Sequence, residues 1–139
     1  MRALVTGANG FLGVALTERL MARQEGPVRC LVRSGSQKER LERVVSTGSG
    51  AEIVTGALAS PEAAAAAIEG ADVVYHLAAS LRGSTADLFL GTVVTSKNLL
   101  EAVRLSDRRP RIVLVSSFSV YGVAGLRRGS LVDELTPLE

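Results

Sequence analysis

The sequence predicts an α/β fold: an open, doubly wound sheet of parallel strands with helices on both faces. Two observations predict it. Five short apolar runs alternate with helix-patterned segments along the 139 residues. The connections between them are short, so strands joined through helices run parallel with right-handed crossovers. The length suits one domain, and 47% hydrophobic with 22% charged residues is an ordinary globular composition.

The elements follow in order. Arg2-Ala3-Leu4-Val5-Thr6 reads as the first strand. Gly7 to Gly13 is a glycine-rich turn opening a helix to about Gln24, with Leu12, Leu16 and Leu20 on one face. Gly26-Pro27 punctuates, and Val28 to Val32 is the second strand. Gln37 to about Ser46 reads as a polar surface helix in which Glu39 and Arg43 are spaced to pair. Glu52 to Thr55 is the third strand. Ser60-Pro61 starts the next helix, with serine as cap and proline where a missing N–H costs nothing, and the alanine run Ala63 to Ala67 continues it. Asp72 to Ala78 is the fourth strand, apolar enough to be covered on both faces. Ser84-Thr85-Ala86-Asp87 resembles a capping box and opens the longest helix, to about Leu105. Arg111 to Ser116 is the fifth strand, and Ser117 to Glu139 carries turn residues with little periodicity.

Composition narrows the function. A formal charge of +2 with no Trp and only five other aromatics gives neither the basic surface nor the stacking platforms of a nucleic-acid binder. No apolar run reaches bilayer length, and Met1 leads directly into a strand without a signal-peptide pattern. One cysteine, Cys30, permits no internal disulfide and no cysteine metal cluster. These features predict a cytoplasmic protein with no metal, nucleic-acid or membrane partner, and Cys30 as an inert core thiol.

The chemistry-bearing segment is Thr6-Gly7-Ala8-Asn9-Gly10-Phe11-Leu12-Gly13. Gly-x-x-Gly-x-x-Gly between a strand and a helix suits a pyrophosphate. Gly7 permits the tight turn, Gly10 lets backbone approach the ligand, and Gly13 lets the helix pack against the sheet. Free N–H groups around Phe11 and Leu12, with the positive end of the helix dipole, would hold the phosphates.

This turn is similar to the cofactor turn of the extended short-chain dehydrogenase/reductases, the NAD(P)-dependent epimerase, dehydratase and reductase group. Four further stretches resemble that family in the same order: His76-Leu77-Ala78-Ala79, Asn98 to Ala102, Val115 to Gly122, and Asp133 to Leu138. The resemblance spans essentially the whole chain. It implies a Rossmann-type sheet of strand order 3-2-1-4-5 and a dinucleotide held by Gly7, Asn9, Gly10, Phe11, Leu12, Gly13, Leu58, Leu77, Ala78 and Ala79.

The residue ending the second strand is Arg33, where NAD binders place a carboxylate for the ribose hydroxyls. A guanidinium pairs with a 2′-phosphate and stacks on adenine, so Arg33 points to NADP, with NAD the alternative. Val28-Arg29-Cys30-Leu31-Val32-Arg33 resembles the corresponding strand of the dihydroflavonol-reductase-like branch. Lys38 and Arg40 are candidate helpers. Gly56-Ala57-Leu58 departs from the family's G-D-L, removing a side-chain contact to adenine, and Thr92 stands where many relatives carry Asn.

The resemblance assigns Ser117 to orienting a substrate carbonyl or alcohol. The family's Tyr-x-x-x-Lys general acid–base pair is missing: Tyr75 is followed by Ala79 and Tyr121 by Gly125 at that spacing. His76, the single histidine, takes a structural place in the family. Residues 1–139 therefore read as the cofactor-binding part of a longer oxidoreductase, cut before the substrate lobe. Hydride transfer between nicotinamide and a small-molecule carbonyl or alcohol is the implied chemistry. Sugar-nucleotide epimerisation and a non-catalytic NADP-sensing module are the alternatives. The family also implies a homodimer through the 84–105 helix.

Overall fold

The computed structural model describes residues 1–48 and 50–138. Five strands, β1 (Ala3–Thr6), β2 (Val28–Val32), β3 (Ala51–Thr55), β4 (Val73–His76) and β5 (Arg111–Leu114), form one parallel sheet in the order β3-β2-β1-β4-β5. The expected strand order is observed. Helices α1 (Phe11–Arg23), α2 (Glu39–Ser46), α3 (Pro61–Ile68), α4 (Thr85–Leu88) and α5 (Thr95–Leu105) connect them.

The strand pattern explains the two layers. Alternate residues of β1 face opposite ways, and each face has its own helices. Ala3 and Val5 join Val14, Leu20, Leu41, Cys30 and Val73 on the α1–α2 side. Leu4 joins Leu31, Ala64, Ile68, Val74, Leu99 and Ala102 on the α3–α5 side. Leu4 and Val74 are wholly buried, so truncating Leu4 to alanine would cost about 3 kcal/mol in transfer and cavity terms.

Chain direction reverses its sense of winding at β1, which pairs with β2 on one side and β4 on the other. Ligands of open α/β sheets bind outside the strand ends at such a point. The register brings the ends level: Thr6 lies opposite Leu31 and His76, and His76 opposite Leu114.

Local signals hold where they are local. Ser60 accepts the Ala63 N–H at 3.2 Å, with Pro61 beginning α3. Ser84 and Asp87 make a complete reciprocal capping box on α4, aspartate serving where glutamate is usual.

Several expectations need correction. The 84–105 segment is not one regular helix: α4 passes into a π-helical turn, Phe89–Val94, before α5. A long-range contact accompanies the extra-wide turn. Gly91 lies directly against Ser80, where any Cβ would overlap the serine side chain, and Thr92 Oγ1 accepts the Ser80 N–H at 3.0 Å. The expected Glu39–Arg43 ion pair is absent. Arg43 Nε instead donates to the Glu39 backbone carbonyl, and the i,i+4 ion pair is Lys38–Glu42 at 3.3 Å; α2 starts at Glu39 rather than Gln37. β4 and β5 are shorter than expected; β4 is mostly buried and β5 largely exposed. Among the described residues no helix is long and apolar enough to cross a membrane, and no group of three or more His, Cys, Asp or Glu is placed to hold a metal.

Candidate functional site

The glycine turn is built by close backbone approaches. Gly7 has φ +66°, a conformation that penalises side chains, and a Cβ there would stand 2.9 Å from Ala78 N and Leu77 C. The turn therefore abuts the end of β4 directly. Gly10 accommodates the Gly7 carbonyl, to which its own N–H donates at 2.9 Å. The missing Cβ of Gly13 makes room for the Gly7 carbonyl and Ala8, so the start of α1 also packs closely on the turn.

The first turn of α1 has no acidic residue and no side-chain cap at Gly10. Its leading amides are thus free of a competing intramolecular anion. Asn9 Nδ2 donates to Gln37 O at 2.9 Å and ties this turn to the loop after β2.

A groove of about 410 Å³ runs across these strand ends. Gly7, Asn9, Gly10, Phe11, Leu12, Gly13, Arg33, Leu58, Leu77, Ala78 and Ala79 all line it. The structure thus brings together all eleven residues expected to hold a dinucleotide. Leu58 is fixed from behind, its carbonyl accepting from the buried Asn98 Nδ2 at 3.0 Å. Ser36, Leu81, Gly91, Thr95 and Val115 also line the groove and were not expected from sequence. They arrive from loops and helix ends that only the sheet topology assembles. The sole sequence hint was the polarity of Ser36 and Thr95 after strand and turn signals.

A neighbouring cavity of about 630 Å³ shares Arg33, Ala57 and Ala79 with the groove and adds Ala59, Ser80 and Arg82. Arg33 and Arg82 are exposed, and neither is paired with a carboxylate among the described residues. Asp87 also lines this cavity. Its Oδ2 accepts from both the N–H and the hydroxyl of Ser84, which hold its carboxyl below the usual range. Lys38, a candidate helper, is occupied by Glu42.

Beneath the groove, Thr6 Oγ1 lies 2.8 Å from His76 Nδ1, and His76 Nε2 lies 2.9 Å from Ser96 Oγ. Burial pushes the His76 imidazole below its ordinary pKa and the Cys30 thiol above its own, the latter effect partly opposed by Thr17.

Ser117 sits apart from these features. It caps the 3₁₀ turn Phe118–Val120, accepting the Ser119 N–H at 3.2 Å, with its Oγ 2.8 Å from Ser119 Oγ. It is exposed and does not line the groove, whereas Val115, two residues earlier, does.

Comparison with known proteins agrees with this geometry. A family model described as the NAD dependent epimerase/dehydratase family matches residues 3–138. A quinoline-oxide ketoreductase of Stigmatella aurantiaca is 35% identical over 99% of this chain and 39% of its own length. UDP-glucose 4-epimerase of Mycolicibacterium smegmatis is 37% identical over 88% of this chain and 41% of its own. Among solved structures, a mutant uronate dehydrogenase from Agrobacterium tumefaciens complexed with NAD superposes with a TM-score of 0.70 at 33% identity, over 87% of this chain and 42% of that one. The chain spans about two-fifths of the length of these relatives.

Proposed function

The chain belongs to the NAD dependent epimerase/dehydratase family, and we propose that it forms the NADP(H)-binding part of an oxidoreductase acting on a carbonyl or alcohol substrate. The observation that carries this reading is the groove itself: a glycine turn held by backbone approaches that Cβ atoms would prevent, opening beside an uncapped helix start. That arrangement suits a pyrophosphate.

The residues would divide the work as follows. Amides at the start of α1 hold the diphosphate, with Gly7 and Gly10 allowing close approach. Leu58, Leu77, Ala78 and Ala79 supply an apolar wall from the ends of β3 and β4. Nicotinamide, when bound, supplies or accepts the hydride. Ser117 stands near the end of β5 to orient a substrate oxygen. In the relaxed chain its hydroxyl is engaged by Ser119, so this role requires that local cap to yield. The other substrate contacts and the proton-transferring groups would belong to further parts of the parent enzyme.

NADP is favoured over NAD by the guanidinium at the end of β2. Arg33 lines both cavities, Arg82 brings a second unpaired cation to one of them, and no carboxylate stands at the Arg33 position. A 2′-phosphate meets attraction there, and ribose hydroxyls alone do not. A charge-assisted contact of about 1.5–3 kcal/mol makes NADPH tighter than NADH by about 10- to 100-fold. Calorimetric titration of the chain with both dinucleotides tests this, and Arg33→Asp is expected to close or reverse the gap. Equal affinities in the wild type defeat the NADP assignment, and an unchanged gap in Arg33→Asp defeats the role of Arg33.

A further inference from the structure

We propose that His76 is a positioning residue for the dinucleotide groove, acting through Thr6. A buried relay of Thr6, His76 and Ser96 sets how closely the end of β4 is held against the glycine turn. The inference rests on the groove being a dinucleotide site and does not depend on NADP or NAD preference.

Hydrogen-bond bookkeeping orders the relay. The Ala78 backbone N–H can only donate, and Thr6 Oγ1 receives it at 3.2 Å. Thr6 Oγ1 has a second lone pair, so this bond alone does not orient the ring. The buried hydroxyl proton, however, has His76 Nδ1, at 2.8 Å, as its one acceptor among its hydrogen-bond partners, and pairing it makes Nδ1 the accepting nitrogen. A ring nitrogen that accepts carries no hydrogen, so the neutral imidazole is protonated at Nε2 and donates to Ser96 Oγ at 2.9 Å. Thr6 is 0% and His76 3% exposed, so water does not replace these partners.

The position of the relay gives it a consequence beyond packing. Three elements meet in it: β1, which carries the turn; β4, which supplies the groove wall; and α5, which backs both. The amide that Thr6 grips belongs to Ala78, the atom 2.9 Å from where a Gly7 Cβ would stand. Ala78 and Gly7 face the same groove. A Thr6 hydroxyl free to turn would release Ala78 and change the separation of turn and wall. The neighbours of the imidazole on β1, α5 and β5 (Thr6, Ser96 and, by register, Leu114) are uncharged, and Lys97 beside Ser96 is exposed. Burial, with no ion pair opposing it, therefore keeps the imidazole neutral.

Two measurements test the relay on the chain as it stands. His76 is the only histidine, so its imidazole ¹⁵N resonances need no assignment. They are expected to show hydrogen at Nε2 and a bare Nδ1, and the opposite tautomer overturns the proposal. The second measurement is NADPH affinity together with melting temperature. Loss of one internal hydrogen bond corresponds to about three- to tenfold in Kd if it is felt at the groove. Thr6→Val and His76→Leu are each expected to weaken binding by that factor. Thr6→Ser and His76→Asn, whose Oδ1 replaces the accepting Nδ1, are expected to restore it. The Thr6→Val, His76→Leu double variant should bind no more weakly than the worse single variant, since both break one chain. Unchanged affinity in folded single variants, or additive losses in the double, overturns the relay. If Thr6→Val and His76→Leu do not fold, Ser96→Ala decides: weaker binding supports the relay and unchanged binding overturns it. Absence of dinucleotide binding by the wild type would defeat the site reading itself, an outcome distinct from wild-type binding with indifferent variants.

Discussion

The three glycines of the turn are unequal, and the inequality is measurable. A Cβ at Gly13 would overlap the Gly7 carbonyl and the Ala8 backbone, which cannot rotate away. A Cβ at Gly7 would stand 2.9 Å from the β4 backbone and would also occupy a left-handed conformation. Gly10 offers only a 3.1 Å approach to one carbonyl, at φ −74°. Gly13→Ala and Gly7→Ala are therefore expected to cost about 3 kcal/mol each in urea unfolding. Gly10→Ala is expected to cost under about 1 kcal/mol while weakening the dinucleotide, because its methyl group would enter ligand space. A Gly10→Ala variant that unfolds as readily as Gly13→Ala would contradict this ordering. His76 supplies a second residue-scale prediction. Burial holds its folded pKa below the ordinary value, so the unfolded chain takes up a proton near pH 6.5 that the folded chain refuses. The cost is absent well above that pH, grows as pH falls through it, and stops growing once the folded imidazole is protonated. Asp72 and Asp87, whose pKa values are lowered, lose their contributions only below about pH 4. Stability should thus decline between pH 7.5 and pH 5 by up to about 1.4 kcal/mol per pH unit. His76→Asn should be flat over that interval, and an equal slope in both proteins would locate the proton elsewhere.

At the scale of elements, legibility followed the range of the forces involved. β1, the turn and α1 were readable because strand pattern, glycine spacing and helix periodicity act within a few residues of each other. The α3 and α4 caps were readable for the same reason: Ser60 and Ser84 bond to amides three residues on. The π-helical turn was not readable. Its accompanying contacts, Gly91 and Thr92 with Ser80, join residues 11 and 12 apart across a loop that sequence periodicity does not sense. The choice of Lys38–Glu42 over Glu39–Arg43 was also undetermined, since both pairs have the same spacing. The groove shows the same division. Residues of the turn and of the strand ends were identifiable one by one, whereas Ser36, Leu81 and Thr95 are groove residues only because β1 lies between β2 and β4. Ser117 marks the limit of motif reading: the motif names the residue, but the local drive to cap a 3₁₀ turn decides where its hydroxyl points.

The whole molecule leaves two apolar regions open, and they make different predictions. One is the β5 edge, where Val113, Leu114 and Val115 are 37%, 57% and 47% exposed. The other is the helical strip of Phe89, Leu90, Val93 and Leu100, each more than half exposed. Contiguous exposed apolar surface drives association, and an unpaired parallel edge adds free backbone groups. The edge is short, four residues, and begins at Arg111, whose charge disfavours strand addition. The helical strip has larger side chains and a rigid backbone, so it should dominate. The isolated chain is expected to show concentration-dependent dimerisation in sedimentation velocity. Phe89→Lys with Val93→Lys should render it monomeric at unchanged melting temperature, because neither side chain belongs to either buried cluster. Leu114→Lys should leave the dimer intact. The reverse pattern would assign association to the strand edge, and a monomer at every concentration would mean that neither surface suffices on its own.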